Sequence, residues 1–168
     1  MAIKVGDRVP NGTFTVMTAD GPKPKTTDEL FKGKKVVLFA VPGAFTPTCN
    51  NNHLPGFVKN AAAFKAKGID TIAVTGVNDV FVMNAWKKSA GADAIEFLAD
   101  GSAAWAKAVG ITADLTERGI EPFPEVDVLH RLLVGGLPAV AFPAVDPFRN
   151  AVMDVFAVGV QLDRARLL

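Results

Sequence analysis

Cys49 is the only cysteine in 168 residues, and it closes the stretch Val41-Pro42-Gly43-Ala44-Phe45-Thr46-Pro47-Thr48-Cys49. Its chemistry is that of a nucleophile. The thiolate is the reactive form, and a sulfur facing the unpaired N–H groups of a helix start is expected to ionise more readily than a free thiol. Thr46 lies three residues earlier, so its hydroxyl reaches the sulfur if both sit on one helical turn. Pro42 removes a donor and stiffens the loop over the sulfur. His53, four residues after Cys49, is a further candidate as a base or an imidazolium partner. Each has a plainer reading as well: a buried apolar thiol, a helix cap, a turn proline and a structural histidine.

The elements that must position these residues are legible in the pattern around them. Residues 35–41 form an apolar, β-branched run that reads as a buried strand. Thr46 can cap a helix and Pro47 suits its first position, which puts Cys49 in the first turn. Leu54, Phe57, Val58 and Ala61 give that helix one buried face, with a kink or division expected at Pro55-Gly56 and a stop near Gly68. Residues 71–77 read as a second buried strand. Asn78-Asp79 starts a helix carrying Phe81, Val82, Ala85 and Trp86. Residues 96–99 read as a third strand, and 102–109 as a short helix closed by Gly110. Upstream, 13–17 reads as a strand, 20–25 as an exposed turn rich in Pro and Lys, and 27–31 as a helix start with acids in its first turn.

Alternating strands and helices imply an α/β chain with parallel crossovers and helices on both faces. Such sheets bind at the carboxyl ends of their strands, where Cys49 falls.

Composition narrows the partners. A net charge of +1 argues against nucleic acid, because no strong phosphate-neutralising face is implied. No apolar run reaches the roughly 18 to 20 residues of a membrane span. No secretory pattern is read at the N-terminus, and a single cysteine suits a reducing compartment, so a cytoplasmic location is expected. One cysteine and two histidines without ligand spacing make no metal site.

The segment 42–49, together with His53-Leu54-Pro55-Gly56-Phe57, resembles the active-site segment of the peroxiredoxins, specifically the peroxiredoxin-5 or type II subgroup. Val77-Asn78-Asp79-Val80-Phe81-Val82-Met83, Trp86 and Phe97-Leu98-Ala99-Asp100-Gly101 extend the likeness over about residues 3–120. The resemblance implies a thioredoxin-like fold, a central mixed sheet flanked by helices. It implies Cys49 as the peroxidatic cysteine, Thr46 as the hydroxyl orienting peroxide and thiolate, and Pro42 as the shield over the sulfur. It also implies peroxide as substrate, glutathione with glutaredoxin or thioredoxin as reductant, a homodimer, and no cofactor. With no second cysteine, an external thiol must reduce the sulfenic acid. A redox-responsive sensor or binding protein with little turnover is the alternative, and an inert thioredoxin-like scaffold a third.

The segment 121–168 departs from the pattern. Every lysine lies at or before Lys107, and Pro122, Pro124, Pro138, Pro143 and Pro147 divide this tail into short apolar pieces. None of its arginines matches the family's catalytic arginine. Residues 126–134 and 137–142 read as strands and 150–158 as a helix or strand. The segment is either a variant way of closing the sheet or a stretch read in an altered frame.

Overall fold

The computed structural model describes residue 3, residues 7–113 and residues 123–124. The strands and helix read at 126–134, 137–142 and 150–158, and the two explanations of the tail, lie outside them.

Among the described residues, a five-stranded sheet runs in the order β2-β1-β5-β4-β3. β1 (Thr13–Thr18) and β2 (Gly21–Thr26) form an antiparallel hairpin. β3 (Val36–Val41), β4 (Thr71–Gly76) and β5 (Glu96–Ala99) are parallel, and β1 joins β5 in the antiparallel sense. The sheet is therefore mixed, as the resemblance implied. The order of elements agrees with the sequence reading except at 20–25, where Asp20 does lie in a turn but residues 21–25 belong to strand β2. Pro22 and Pro24 are two residues apart, so their missing N–H groups fall on one side of β2. On an edge strand that side can face outward and leave the ladder to β1 intact.

Register shows which helices share a face. Phe39, Val74 and Phe97 are cross-strand partners and point the same way. Phe39 stacks on Phe57 of α2 (Leu54–Ala66) at 3.8 Å between centroids, and Phe97 meets Trp86 of α3 (Val80–Ser89) edge-on at 5.5 Å. α2 and α3 therefore cover one face, as two crossovers of one hand stepping in one direction require. On the other face, Phe14 of β1 packs against Trp105 of α4 (Ala104–Val109) at 5.3 Å. All six side chains of β3 are buried, and each contributes on the order of 1–3 kcal/mol of hydrophobic stabilisation, least for Ala40.

Local signals account for the helix ends. α1 (Thr27–Phe31) opens with a capping box in which the Thr26 hydroxyl accepts from Glu29 N–H and the Glu29 carboxylate accepts from Thr26 N–H. α2 ends in the left-handed Gly68, φ 80°. Its N–H donates to the Lys65 carbonyl and the next N–H, of Ile69, reaches back to Phe64. Asp79 caps α3 by accepting from the N–H groups of Phe81 and Val82. The buried face of α3 is Val80, Met83 and Trp86, and Phe81 stands 66% exposed.

Candidate active site

Cys49 sits past the carboxyl end of β3, on the chain that turns from the sheet into α2. Val41 ends the strand and Pro42 comes next, half-buried. Phe45 takes a left-handed backbone at φ 62°, an uncommon conformation for an aromatic residue and a mark of a constrained loop. Asn78, two residues beyond β4, holds this loop by accepting from Ala44 N–H at 2.8 Å. The approach is close because Gly76 lacks a side chain. A Cβ there would lie 3.2 Å from Val41 Cγ2 and 3.5 Å from Asn78 Oδ1.

The helix begins at Pro47, as expected, but does not wind uniformly. Cys49–His53 is a single π-helical turn, closed by the Leu54 N–H donating to the Cys49 carbonyl. The division expected at Pro55-Gly56 falls instead where this turn meets α2, leaving Pro55 in the first turn of α2. There its missing N–H is tolerated.

Cys49 is buried, 2% exposed. Burial pushes its thiol pKa up. Against that act the Thr46 hydroxyl, the Gly43 N–H and the N–H of Cys49 itself, all stabilising the thiolate. The expected lowering therefore does not hold. The dipoles are where the helix start was expected to put them, but desolvation outweighs them, and no cationic side chain is among the groups acting on the sulfur in the described residues. Thr46 donates its own proton to the Gly43 carbonyl at 2.9 Å, which ties the two residues flanking the sulfur together.

His53 is 6% exposed, with neither ring nitrogen hydrogen-bonded. It lies between Phe39 at 5.0 Å and Phe57 at 5.5 Å. Burial lowers its pKa to about 4, so it is neutral near pH 7 and is no imidazolium partner for the thiolate. Asn50 and Trp86, by contrast, join the site without a role foreseen in the sequence. The Trp86 indole N–H donates to Asn50 Oδ1 at 2.8 Å, and the Phe45 ring lies 6.4 Å from the indole. Only the aromatic Trp86 in an apolar helix hinted at it.

Thr46 is thus beside the sulfur and Pro42 at the strand end that leads to it. What the arrangement can do is hold a buried, dipole-flanked thiol at the mouth of a parallel sheet. No group of three or more His, Cys, Asp or Glu among the described residues could hold a metal, and no described helix is long and apolar enough to cross a membrane.

Comparison with known proteins agrees with this geometry. Residues 4–131 match the Redoxin family. Peroxiredoxin-2C of Oryza sativa subsp. japonica is 48% identical over 120 residues, which span 70% of this chain and 74% of that one. The chloroplastic Peroxiredoxin-2E-2 of the same plant is 50% identical over 121 residues, 69% of this chain but only 53% of its own length. The crystal structure of reduced Prx3 from Vibrio vulnificus in complex with H2O2 is 48% identical, with a TM-score of 0.70 over 73% of this chain and 77% of that one. The chain belongs to the Redoxin family, and within it to the peroxiredoxins, with their thioredoxin-like fold. It is a thiol-dependent peroxidase, an oxidoreductase.

Proposed function

We propose that the chain reduces hydrogen peroxide and alkyl hydroperoxides through Cys49 alone, in a 1-Cys cycle completed by an external thiol. The observation carrying this is the sulfur's setting: one cysteine, seated at the strand-to-helix junction with the Thr46 hydroxyl and two backbone N–H groups directed at it. The Cys49 thiolate attacks one peroxide oxygen, the O–O bond breaks, and the leaving oxygen takes a proton as water or an alcohol. Cys49 is left as a sulfenic acid. Thr46 serves both states. Its hydroxyl donates to Gly43 while sulfur is a thiol, and can turn its proton to the thiolate or to peroxide as charge develops. Pro42 shields the sulfur, supplying no donor that would compete for it.

No second cysteine exists to trap the sulfenic acid, so glutathione with glutaredoxin, or thioredoxin, does so. A reducing cytoplasm and a homodimer complete the reading. After peroxide treatment, mass spectrometry is expected to find a glutathione adduct on Cys49 when the thiol is present and added oxygens when it is absent. A sulfenic acid that persists through every thiol offered would overturn the cycle.

A second reading is a redox sensor whose Cys49 oxidises without rapid turnover, although the raised thiol pKa slows oxidation in either case. Steady-state peroxide consumption separates the two. Oxidation of Cys49 that stops after one equivalent of peroxide, with thiol in excess, supports the sensor.

A further inference from the structure

The end of the sheet opposite Cys49 carries a charge pattern that the site does not use. Parallel pairing of β3 and β4 sets their amino ends side by side. It thereby joins two stretches far apart in sequence, Lys32-Gly33-Lys34-Lys35 before β3 and Lys65-Ala66-Lys67-Gly68 at the end of α2. Asp70 fastens them. Its carboxylate accepts from Lys35 N–H at 2.8 Å, and its own N–H donates to the Lys35 carbonyl at 2.9 Å. Gly33 and Gly68 turn the chain with left-handed backbones, φ 72° and 80°, which fixes where the lysines project. The Lys35 ammonium reaches across to the second stretch, where a Cβ on Gly68 would lie 3.9 Å from Nζ.

All five lysines are exposed. The ion pairs among the described residues, Lys23 with Asp20 and Lys25 with Glu96, include none of them. Lys34 is the most engaged, donating to the Glu29 carbonyl at 3.0 Å. The Cys49 end differs. Residues 41–58 contain no Asp, Glu, Lys or Arg, and Phe45 and Phe81, the exposed large hydrophobic residues among those described, both lie there. A net charge of +1 does not cancel the contrast. The length of β3 separates the two ends by about 20 Å. Screening at physiological salt acts over about 8 Å, so a partner at either end meets the local charge.

The chemistry of the patch selects among anionic partners. The hollow beside it sets Lys65 and Lys87 against Asp70, Asp93 and Glu96, so it is no seat for a small discrete anion. With the exposed aromatic residues at the other end, there is no stacking platform for single-stranded nucleic acid and no apolar centre for a protein interface. A broad anionic surface met by charge alone fits what is left.

We propose that this lysine-rich end is a docking surface for anionic phospholipid bilayers, held at the headgroups by the five ammonium groups without insertion. Docked in this way, the chain holds the Cys49 end about 20 Å from the headgroups and open to solvent.

Binding requires no peroxide chemistry, and neither does its test. The full chain is sedimented with vesicles of phosphatidylcholine alone and with vesicles containing about one-third phosphatidylserine. Binding is expected to the anionic vesicles only, and to be lost at high salt. Lys35→Ala and Lys67→Ala should each weaken it about fivefold, and together about 25-fold. Lys107→Ala, on α4, should leave it unchanged. Iodoacetamide should label Cys49 at the same rate on and off the vesicles. Equal sedimentation with pure phosphatidylcholine, or unchanged binding in the double variant, would overturn the docking surface. Tighter binding to a polyglutamate peptide than to vesicles of equal charge would overturn the bilayer as partner, and slower Cys49 labelling on the vesicles would overturn the orientation.

Discussion

The Thr46 hydroxyl donates to the Gly43 carbonyl at 2.9 Å, and the N–H of that same Gly43 is directed at Cys49. The loop before the sulfur is thereby closed on itself, with one residue serving as acceptor for the hydroxyl and donor to the thiol. Thr46→Val keeps the branched shape and removes the bond. Peroxide reduction is expected to fall by about two orders of magnitude, as when one oxyanion donor is lost. Loss of the bond to Gly43 should also cost about 1 kcal/mol of stability. Thr46→Ser should restore both, and an unchanged rate in the valine variant, measured by rapid mixing, would reduce Thr46 to a loop tie.

The direction of the Cys49 shift has a consequence for pH. Because burial raises the thiol pKa, the thiolate is the minor form near neutral pH. The rate of Cys49 oxidation should therefore climb about tenfold per pH unit up to the thiol pKa, which lies above its ordinary value. Stopped-flow rates between pH 6 and 9 check this. A rate flat across that range would contradict the raised thiol pKa.

His53 makes stability depend on pH in the acid range. Its folded pKa of about 4 lies below its ordinary 6.5, so the unfolded chain binds the proton first. The native state keeps its full margin above pH 6.5 and loses it as pH falls toward about 4, a total of about 3 kcal/mol. His53→Leu should flatten the difference between urea midpoints at pH 7 and pH 4.5. An equal pH dependence in both proteins would mean that the buried ring is not the group responsible.

Gly76 tests the support behind the loop. Alanine there meets Val41 Cγ2 at 3.2 Å and the Val41 carbonyl at 3.4 Å, in a paired strand that has little room to give. Gly76→Ala should cost about 1–3 kcal/mol in denaturant unfolding. It should also slow peroxide reduction, because Asn78 is displaced from Ala44. Normal activity at full stability would show that the sheet end absorbs the methyl.

The parts of this fold readable from sequence are those decided by local chemistry. β3, β4 and β5 are apolar runs, and Pro47, Asp79, Gly68 and Gly110 mark helix ends by the conformations they allow or cap. Sequence misleads where partners distant along the chain decide. Pro22 and Pro24 argue for a turn until β1 supplies an edge for them to lie on. The π turn leaves no mark in Asn50-Asn51-Asn52, and the sign of the Cys49 shift depends on how deeply packing buries the sulfur. Cys49 and Thr46 stand out by their spacing, and Trp86 by its place in an apolar helix. The bond from Trp86 to Asn50 spans 36 residues and exists only once α3 packs beside the turn.

Whether Cys49 reduces peroxide is the question on which everything else turns, and Trp86 offers the means to see it. The indole is buried and bonded to the residue after the cysteine, so its fluorescence should respond to oxidation of the sulfur. Reduced protein mixed rapidly with hydrogen peroxide should give a fluorescence change whose rate is proportional to peroxide. One equivalent should be consumed per Cys49, and neither change nor consumption should occur in Cys49→Ser. A serine variant that consumes peroxide at even a tenth of the normal rate, or a wild-type protein that leaves peroxide untouched, would contradict the account.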